Sequence, residues 1–334
     1  MTDLSATARA LFAEGKGILA ADESVPTADK RLKEHGIEDG EEMRRNFRDL
    51  FLGAEGIEQY LSGVILFEET FGQKGKDRKL FPNMLSARGI APGIKVDTGT
   101  EPLPHNAEEF ITNGLLGLPE RLQEFAKKGA VFTKWRAVIK IEGNRLPTND
   151  SLVENAKRLS TYAKEVQEAG LVPMVEPEVL LAGTHSRLRA KEVIIETLSI
   201  LFNALEEQAV DMSGLILKNA MTLSGDASRK KDTPEEVAED TVSALVASVP
   251  KRVAGIMFLS GGQTPDQATE NLGAIVRRAK RATVPWPLTF SYARALQDEA
   301  LNVWKGREEN VEAARGAFLA RLTQVSAALT STEV

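Results

Sequence analysis

The sequence has no cysteine and only three histidines among its 334 residues. Without a thiol there is no disulfide framework, cysteine nucleophile, zinc ribbon or thiolate-held iron–sulfur cluster, and a reducing, cytoplasmic setting fits that absence. His35, His105 and His185 stand singly, with no HExxH and no second histidine three to five residues away. A histidine-built metal site would have to gather all three, whereas each lies in a polar or loop-like stretch where a surface histidine is the ordinary expectation. Neither a metal nor another cofactor is expected.

Long apolar runs are missing too. None approaches the ~18–20 residues that span a bilayer, and the start MTDLSATARALFAEGKG lacks a charged region followed by an apolar one, so neither membrane embedding nor export is expected. There is no Lys/Arg block and no basic stripe interleaved with aromatics; 42 Lys plus Arg against 48 Asp plus Glu leave a net charge of −6, which argues against a nucleic-acid partner. A small anionic ligand stays open, because a pocket's local charge can oppose the global one. At 42 % hydrophobic and 27 % charged the chain reads as soluble and globular. With no linker, low-complexity tract or short-period repeat, one domain over 1–334 is expected, with an N-terminal helix and a short C-terminal helix and tail.

What is present is an alternation. Eight short runs rich in Val, Ile, Leu and Phe read as strands at Gly17–Ala21, Gly63–Phe67, Gly93–Val96, Val131–Val138, Leu171–Val175, Gly214–Leu217, Gly255–Leu259 and Leu288–Ser291. Helical spacing lies between them, notably over Asp150–Ala169, Arg187–Gln208, Pro234–Ser248 and Pro265–Arg278. Thr233-Pro234 and Thr264-Pro265 both have the form of a helix start, an N-cap followed by proline in the first turn. Crossovers this long join parallel strands, and eight such units in one chain predict an α/β fold, a closed (β/α)8 TIM barrel. The alternative is an open doubly wound sheet, against which stands the lack of GxGxxG after the first strand and of any GK[ST] ending.

In a barrel the C-terminal ends of the strands carry the chemistry. Those ends read Asp22-Glu23-Ser24, Lys95 to Asp97, Glu176 and Glu178, Lys218, Ser260-Gly261-Gly262, and Ser291 with Arg294 just beyond. Lys134 and Arg136 lie inside an apolar run, and period-two alternation puts them on one face with Val138, while Thr133, Trp135 and Ala137 take the other. Any one of these charges is ordinarily a solvated loop residue or an ion pair. Convergence of five cations with Asp22, Glu176 and Glu178 at one mouth points instead to a site for an anionic substrate.

Lys218 follows Leu215-Ile216-Leu217, so apolar walls and nearby ammonium groups disfavour its charged form, and a neutral amine there is a nucleophile toward a carbonyl. A buried structural pair with Glu176 or Glu178 is the plain alternative. Ser260-Gly261-Gly262 leaves backbone N–H groups uncovered, which suits a phosphate and equally describes a tight turn.

The stretches GKGILAADES (15–24), GVILFEET (63–70), GIKVD (93–97), KWRAVIKI (134–141), VPMVEPEVL (172–180), LILKNAM (215–221), FLSGGQ (258–263) and LTFSYARAL (288–296), in this order, resemble class I fructose-1,6-bisphosphate aldolase, the Schiff-base, metal-independent type. The resemblance runs from about Gly15 to about Gly306. It implies reversible cleavage of fructose 1,6-bisphosphate to dihydroxyacetone phosphate and glyceraldehyde 3-phosphate, sugar phosphates as the partners, and a homo-oligomer, tetrameric in the family. It also implies that Lys218 is the Schiff-base lysine, Glu176 the acid/base, Asp22 the aspartate that orients the lysine and substrate hydroxyls, and Lys134 the lysine that stabilises charge beside the reacting carbons. Arg136 and Glu178 then support substrate binding. Ser260, Gly261, Ser291 and Arg294 resemble one phosphate site, and Ser24, Thr27, Arg31 and Lys95 the surroundings of the other.

The chain departs from the family pattern with Asn219-Ala220 after the lysine, Pro26 for a usual glycine, and Ala293 for the glycine of FSYGR. It reads LTSTEV at the end, without the terminal tyrosine that resembles a mobile catalytic element in animal aldolases. Removal of the last six residues is therefore expected to change turnover little. Two rivals are a Schiff-base lyase or transaldolase with a single phosphate site, and a barrel serving only as a binding scaffold.

Overall fold

In a computed structural model, which describes residues 3–330, the apolar runs become eight parallel strands: β1 Gly17–Ala21, β2 Leu61–Leu66, β3 Ala91–Lys95, β4 Phe132–Ile139, β5 Val172–Val179, β6 Ile216–Asn219, β7 Gly255–Phe258 and β8 Leu288–Tyr292. Each pairs with its neighbours in chain order and β8 closes on β1, giving the expected closed barrel rather than an open sheet. Strands covered on both faces need apolar residues at nearly every position, which is why they read as continuous runs.

The outward faces meet the helices. Trp135 packs on Tyr162 with ring centroids 5.3 Å apart, and Thr133 Oγ1 shares a 2.6 Å hydrogen bond with the Tyr162 hydroxyl. The inward faces are apolar only in the lower half, where Ile18, Ile65, Phe132, Met174, Ile216 and Met257 pack together over Ala8 and Leu11. The helix Leu4–Ala10 thereby closes the floor. Space for the floor's aromatic rings comes from glycine: a Cβ on Gly93 would stand 2.3 Å from Phe132 Cζ, and one on Gly255 2.4 Å from Phe12 Cζ.

Helix boundaries follow the caps. Thr233 and Glu236 form a complete capping box before Pro234–Ser248, and the Thr264 hydroxyl accepts from the Gln267 N–H before Pro265–Ala282. Asn149–Glu168 and Arg187–Glu207 lie within a residue of expectation. The final helix, Val311–Thr330, ends beside Gly15. Of the tail on which the truncation expectation rests, residues 331–334 lie outside those described.

Two differences from the sequence expectation concern the site. Strand β5 continues past Val175 to Val179, carrying Glu176 and Glu178 within the ladder opposite Arg136 and Val138. Their charges do not end the strand because cations on the two neighbouring strands, Lys134 and Arg136 on β4 and Lys218 on β6, pair with them. An antiparallel hairpin, Thr100–Leu103 with Asn106–Thr112, was not expected, since its strands are largely exposed and carry no apolar run. Its Thr112 hydroxyl donates to the Arg136 carbonyl at 2.8 Å, clasping β4 from outside.

Candidate active site

Above the apolar floor the inward positions change character. Lys134, two residues up from Phe132 on β4, points into the barrel, as do Glu176 above Met174 on β5 and Lys218 above Ile216 on β6. Asp22 joins them from the end of β1. They form one alternating chain of charge: Asp22 Oδ2 is 3.0 Å from Lys134 Nζ, Lys134 Nζ is 2.8 Å from Glu176 Oε2, and Glu176 Oε1 is 2.9 Å from Lys218 Nζ. All four are at least nine-tenths buried.

Two negative and two positive charges leave the row neutral, which is how charge survives in a dry interior. Burial works to raise the Asp22 pKa, but Lys134, then Lys218 and Lys95, override it and bring it down to about 2. Glu176 is likewise held below the usual carboxylate range: desolvation opposes ionisation, and Lys134, Lys218 and Arg136 outweigh it. For Lys134 burial favours the neutral amine, yet Asp22 and Glu176 hold it firmly protonated. Beside Lys218, Glu176 supplies a proton acceptor within hydrogen-bond reach.

Around the row stand the other cations. Arg136 pairs with Glu178, and its backbone N–H donates to Asp97 Oδ2 at 3.3 Å. Lys95 Nζ is 2.5 Å from Asp97 Oδ1 and donates to the Asp97 carbonyl at 2.9 Å. Ser24 and Thr27 share a 3.0 Å hydroxyl contact at the start of the helix Val25–Glu34, where Pro26 sits in the first turn and needs no N–H partner.

Arg31 lies further along the same helix. Its guanidinium is buried against Glu23, Gln297 and Asp298, while Arg48 holds the other Glu23 oxygen at 2.6 Å. Glu23 is kept ionised against its burial by Arg48 and Arg31. Arg31, grouped from the sequence with Ser24, Thr27 and Lys95, has its donors on Glu23, Gln297 and Asp298, as an arginine facing a buried carboxylate does.

After β7 the chain turns through Ser260-Gly261-Gly262 with φ of +53° at Gly261 and +89° at Gly262, a conformation side chains rarely adopt. At Gly261 a Cβ would also lie 2.9 Å from Leu259 Cδ1. Arg294 Nη2 lies 4.0 Å from where a Gly262 Cβ would be, and Ser291 Oγ is buried without a hydrogen-bond partner among the described residues. A guanidinium beside a turn with bare N–H groups has the chemistry to hold an anion. Ala293, at the N-cap of the helix Arg294–Trp304, takes φ −107° and ψ −92°.

The three histidines do not converge: His35 bonds Asn302 at 3.0 Å, His105 lies in the hairpin turn, and His185 is buried with its pKa lowered by desolvation.

The profile of the family described as fructose-bisphosphate aldolase class-I matches residues 3–332. The chain belongs to the class I fructose-bisphosphate aldolase family. Its reaction is the reversible aldol cleavage of fructose 1,6-bisphosphate. Among its relatives, the fructose-bisphosphate aldolase of Dictyostelium discoideum is 44% identical over 96% of this chain and 89% of its own length. Fructose-bisphosphate aldolase B of Ovis aries is 46% identical over 95% of this chain and 87% of its own length. A Plasmodium falciparum aldolase, solved with TRAP and a small-molecule inhibitor, superposes with a TM-score of 0.95 at 43% identity, over 98% of this chain and 93% of that one. Asp97, read from the sequence only as a strand-end charge, holds both Lys95 and the Arg136 backbone; the polar residues that sequence reasoning gave no role are Gln263 and Asn271, behind the Ser260-Gly261-Gly262 turn. They are ordinary polar types without a distinctive spacing, so no local signal marks them.

Proposed function

We propose that this aldolase works through Lys218 as the Schiff-base nucleophile, with Glu176 as its acid and base. The observation that carries the reading is Glu176 itself, one oxygen 2.9 Å from Lys218 Nζ and the other 2.8 Å from Lys134 Nζ. Proton transfer from Lys218 to Glu176 frees the amine, which attacks C2 of the open-chain ketose. Glu176 returns the proton to the departing hydroxyl as the carbinolamine loses water to an iminium. The C4 hydroxyl then gives its proton to Glu176, C3–C4 breaks, and its electron pair moves into the iminium to form an enamine. Glyceraldehyde 3-phosphate leaves, C3 is protonated, and hydrolysis releases dihydroxyacetone phosphate and Lys218.

Lys134 stabilises the oxygen charge that develops during these steps, and Asp22 fixes Lys134 and orients substrate hydroxyls. The phosphate on C1 is the one closest to C2, so it takes the cradle of Ser260, Gly261, Ser291 and Arg294, which opens with the strand beside that of Lys218. The C6 phosphate reaches across to Lys95, Ser24 and Thr27, with Arg136 and Glu178 between. Arg31 supports this second site from behind through Glu23.

Borohydride reduction in the presence of dihydroxyacetone phosphate, followed by peptide mass analysis, tests the proposal: label is expected at Lys218, and no label, or label elsewhere, refutes it. Activity is expected to persist in a strong chelator. A homo-oligomer, tetrameric as the family resemblance implies, and a cytoplasmic location complete the reading; sedimentation of the intact chain checks the first.

A further inference from the structure

The turn proposed to take the C1 phosphate is held from beneath by one side chain, Gln263, whose role rests on that reading of the turn. Gln263 donates twice to the Ser260 carbonyl oxygen, from its backbone N–H at 3.0 Å and from its side-chain Nε2 at 2.9 Å. Its Oε1 accepts from Asn271 Nδ2, 2.7 Å away on the helix Pro265–Ala282, which fixes the end of the amide that faces Ser260. The same Nε2 lies 3.5 Å from the sulfur of Met221, three residues after Lys218. Gln263, Asn271 and Met221 are all buried.

The Ser260 carbonyl and the Gly261 N–H belong to one planar trans peptide, so they point in opposite directions. Two donors drawing the carbonyl down toward Gln263 therefore aim the Gly261 N–H the other way, out of the turn. With both glycines at positive φ the turn has no side-chain packing of its own to fix that plane. We propose that Gln263 is a positioning residue for the C1 phosphate: it sets the Ser260–Gly261 peptide plane, and through Met221 it ties that plane to the strand bearing Lys218. Asn271 acts through Gln263 by choosing its amide orientation.

The test uses fructose 1-phosphate, which carries only the phosphate in question, and the full-length chain. Gln263→Leu removes the side-chain bonds and is expected to raise KM about tenfold, the scale of one hydrogen bond to a preorganised group, with a much smaller change in kcat. Gln263→Glu keeps the shape. Its carboxyl, protonated at about pH 5 because burial raises a carboxyl pKa, donates to Ser260 and accepts from Asn271; ionised at about pH 8, it repels both the carbonyl and the phosphate.

The ratio of variant to wild-type KM is therefore expected to stay near one at the acid end and to climb with pH. A purely structural role lowers the melting temperature without producing that climb. Arg294→Ala serves as the control on the site itself. If it raises KM while both Gln263 variants keep wild-type KM at every pH, the positioning role is overturned. If it leaves KM unchanged, the phosphate assignment falls, and the positioning role of Gln263 with it. Should Gln263→Leu fail to fold, the pH series of Gln263→Glu decides alone.

Discussion

Lys134 Nζ lies 2.8 Å from Glu176 Oε2, so the carboxylate that receives Lys218 on one oxygen is gripped by a second ammonium on the other. Lys134 also holds Asp22 at 3.0 Å, and one side chain thereby neutralises two buried acids. It is the hinge of the site's electrostatics: Glu176 stays an acceptor because Lys134 stays charged, and Lys134 stays charged because two carboxylates surround it.

Replacing that hinge should be costly on two counts. Lys134→Met leaves Asp22 and Glu176 with only Lys218 and the more distant Lys95 and Arg136, so both carboxyls shift upward and one takes a proton. Unfolding in urea should show a loss of about 3–5 kcal/mol, the range for breaking a buried pair from one side. Turnover should fall by about 10²-fold or more, since the base is compromised together with charge stabilisation. Near wild-type kcat in a folded Lys134→Met protein would show that Lys134 is structural only.

The two proposed anion sites should separate kinetically. Arg294→Ala removes a cation from the cradle proposed for the C1 phosphate and is expected to raise KM for both fructose 1,6-bisphosphate and fructose 1-phosphate. Lys95→Met, on the opposite side of the mouth, should raise KM for the bisphosphate by about tenfold and barely touch the monophosphate, which has no group to meet it. Equal effects of Lys95→Met on the two substrates would mean that Lys95 acts on the row through Asp97 and not on a phosphate.

The barrel and its buried row of charge were legible in the sequence because both follow from period two. Eight apolar runs with long crossovers leave few topologies, and Lys134 and Lys218 announce themselves as charges set in or against apolar runs. Glu176 and Glu178 were legible as residues but not as part of a strand, because whether a carboxylate can continue a ladder depends on cations supplied by other strands. The partners of Arg31 were illegible for the same reason: Gln297 and Asp298 lie some 266 positions away in sequence, and only the closed barrel brings them together. The hairpin Thr100–Leu103 with Asn106–Thr112 carries its information in turn geometry, including His105 at φ +68°, rather than in hydrophobicity.

The floor beneath the row constrains it from below. At Gly93 the absence of a side chain admits the Phe132 ring, whose Cζ would stand 2.3 Å from an added Cβ. Gly93→Ala therefore forces the ring or the strand to move, at a cost of about 1–3 kcal/mol for overpacking, and the strand that moves carries Lys95 two residues on. Both a lowered melting temperature and a raised KM for the bisphosphate are expected. Gly93→Ala combined with Phe132→Leu should recover much of the stability, and absence of recovery would place the strain elsewhere.

The acid limb of stability offers the sharpest reading of the row. Asp22 is brought from an ordinary value of 3.8 to about 2 in the folded protein, so its contribution is complete above about pH 4 and is lost as pH falls through about 2. The difference corresponds to about 2 kcal/mol. Lys134 has the opposite sign: its folded pKa is raised, so its contribution is complete below the ordinary lysine range and is lost only as pH rises beyond it. Between pH about 5 and 9 neither group titrates, and these two members of the row keep a constant charge. Urea unfolding of wild type and Asp22→Asn, followed from pH about 5 to 2.5, should show the wild-type advantage shrinking on the acid side. A stability difference that stays flat across that interval would mean that Asp22 is not ionised in the folded row, and the alternating chain of charge would have to be redrawn.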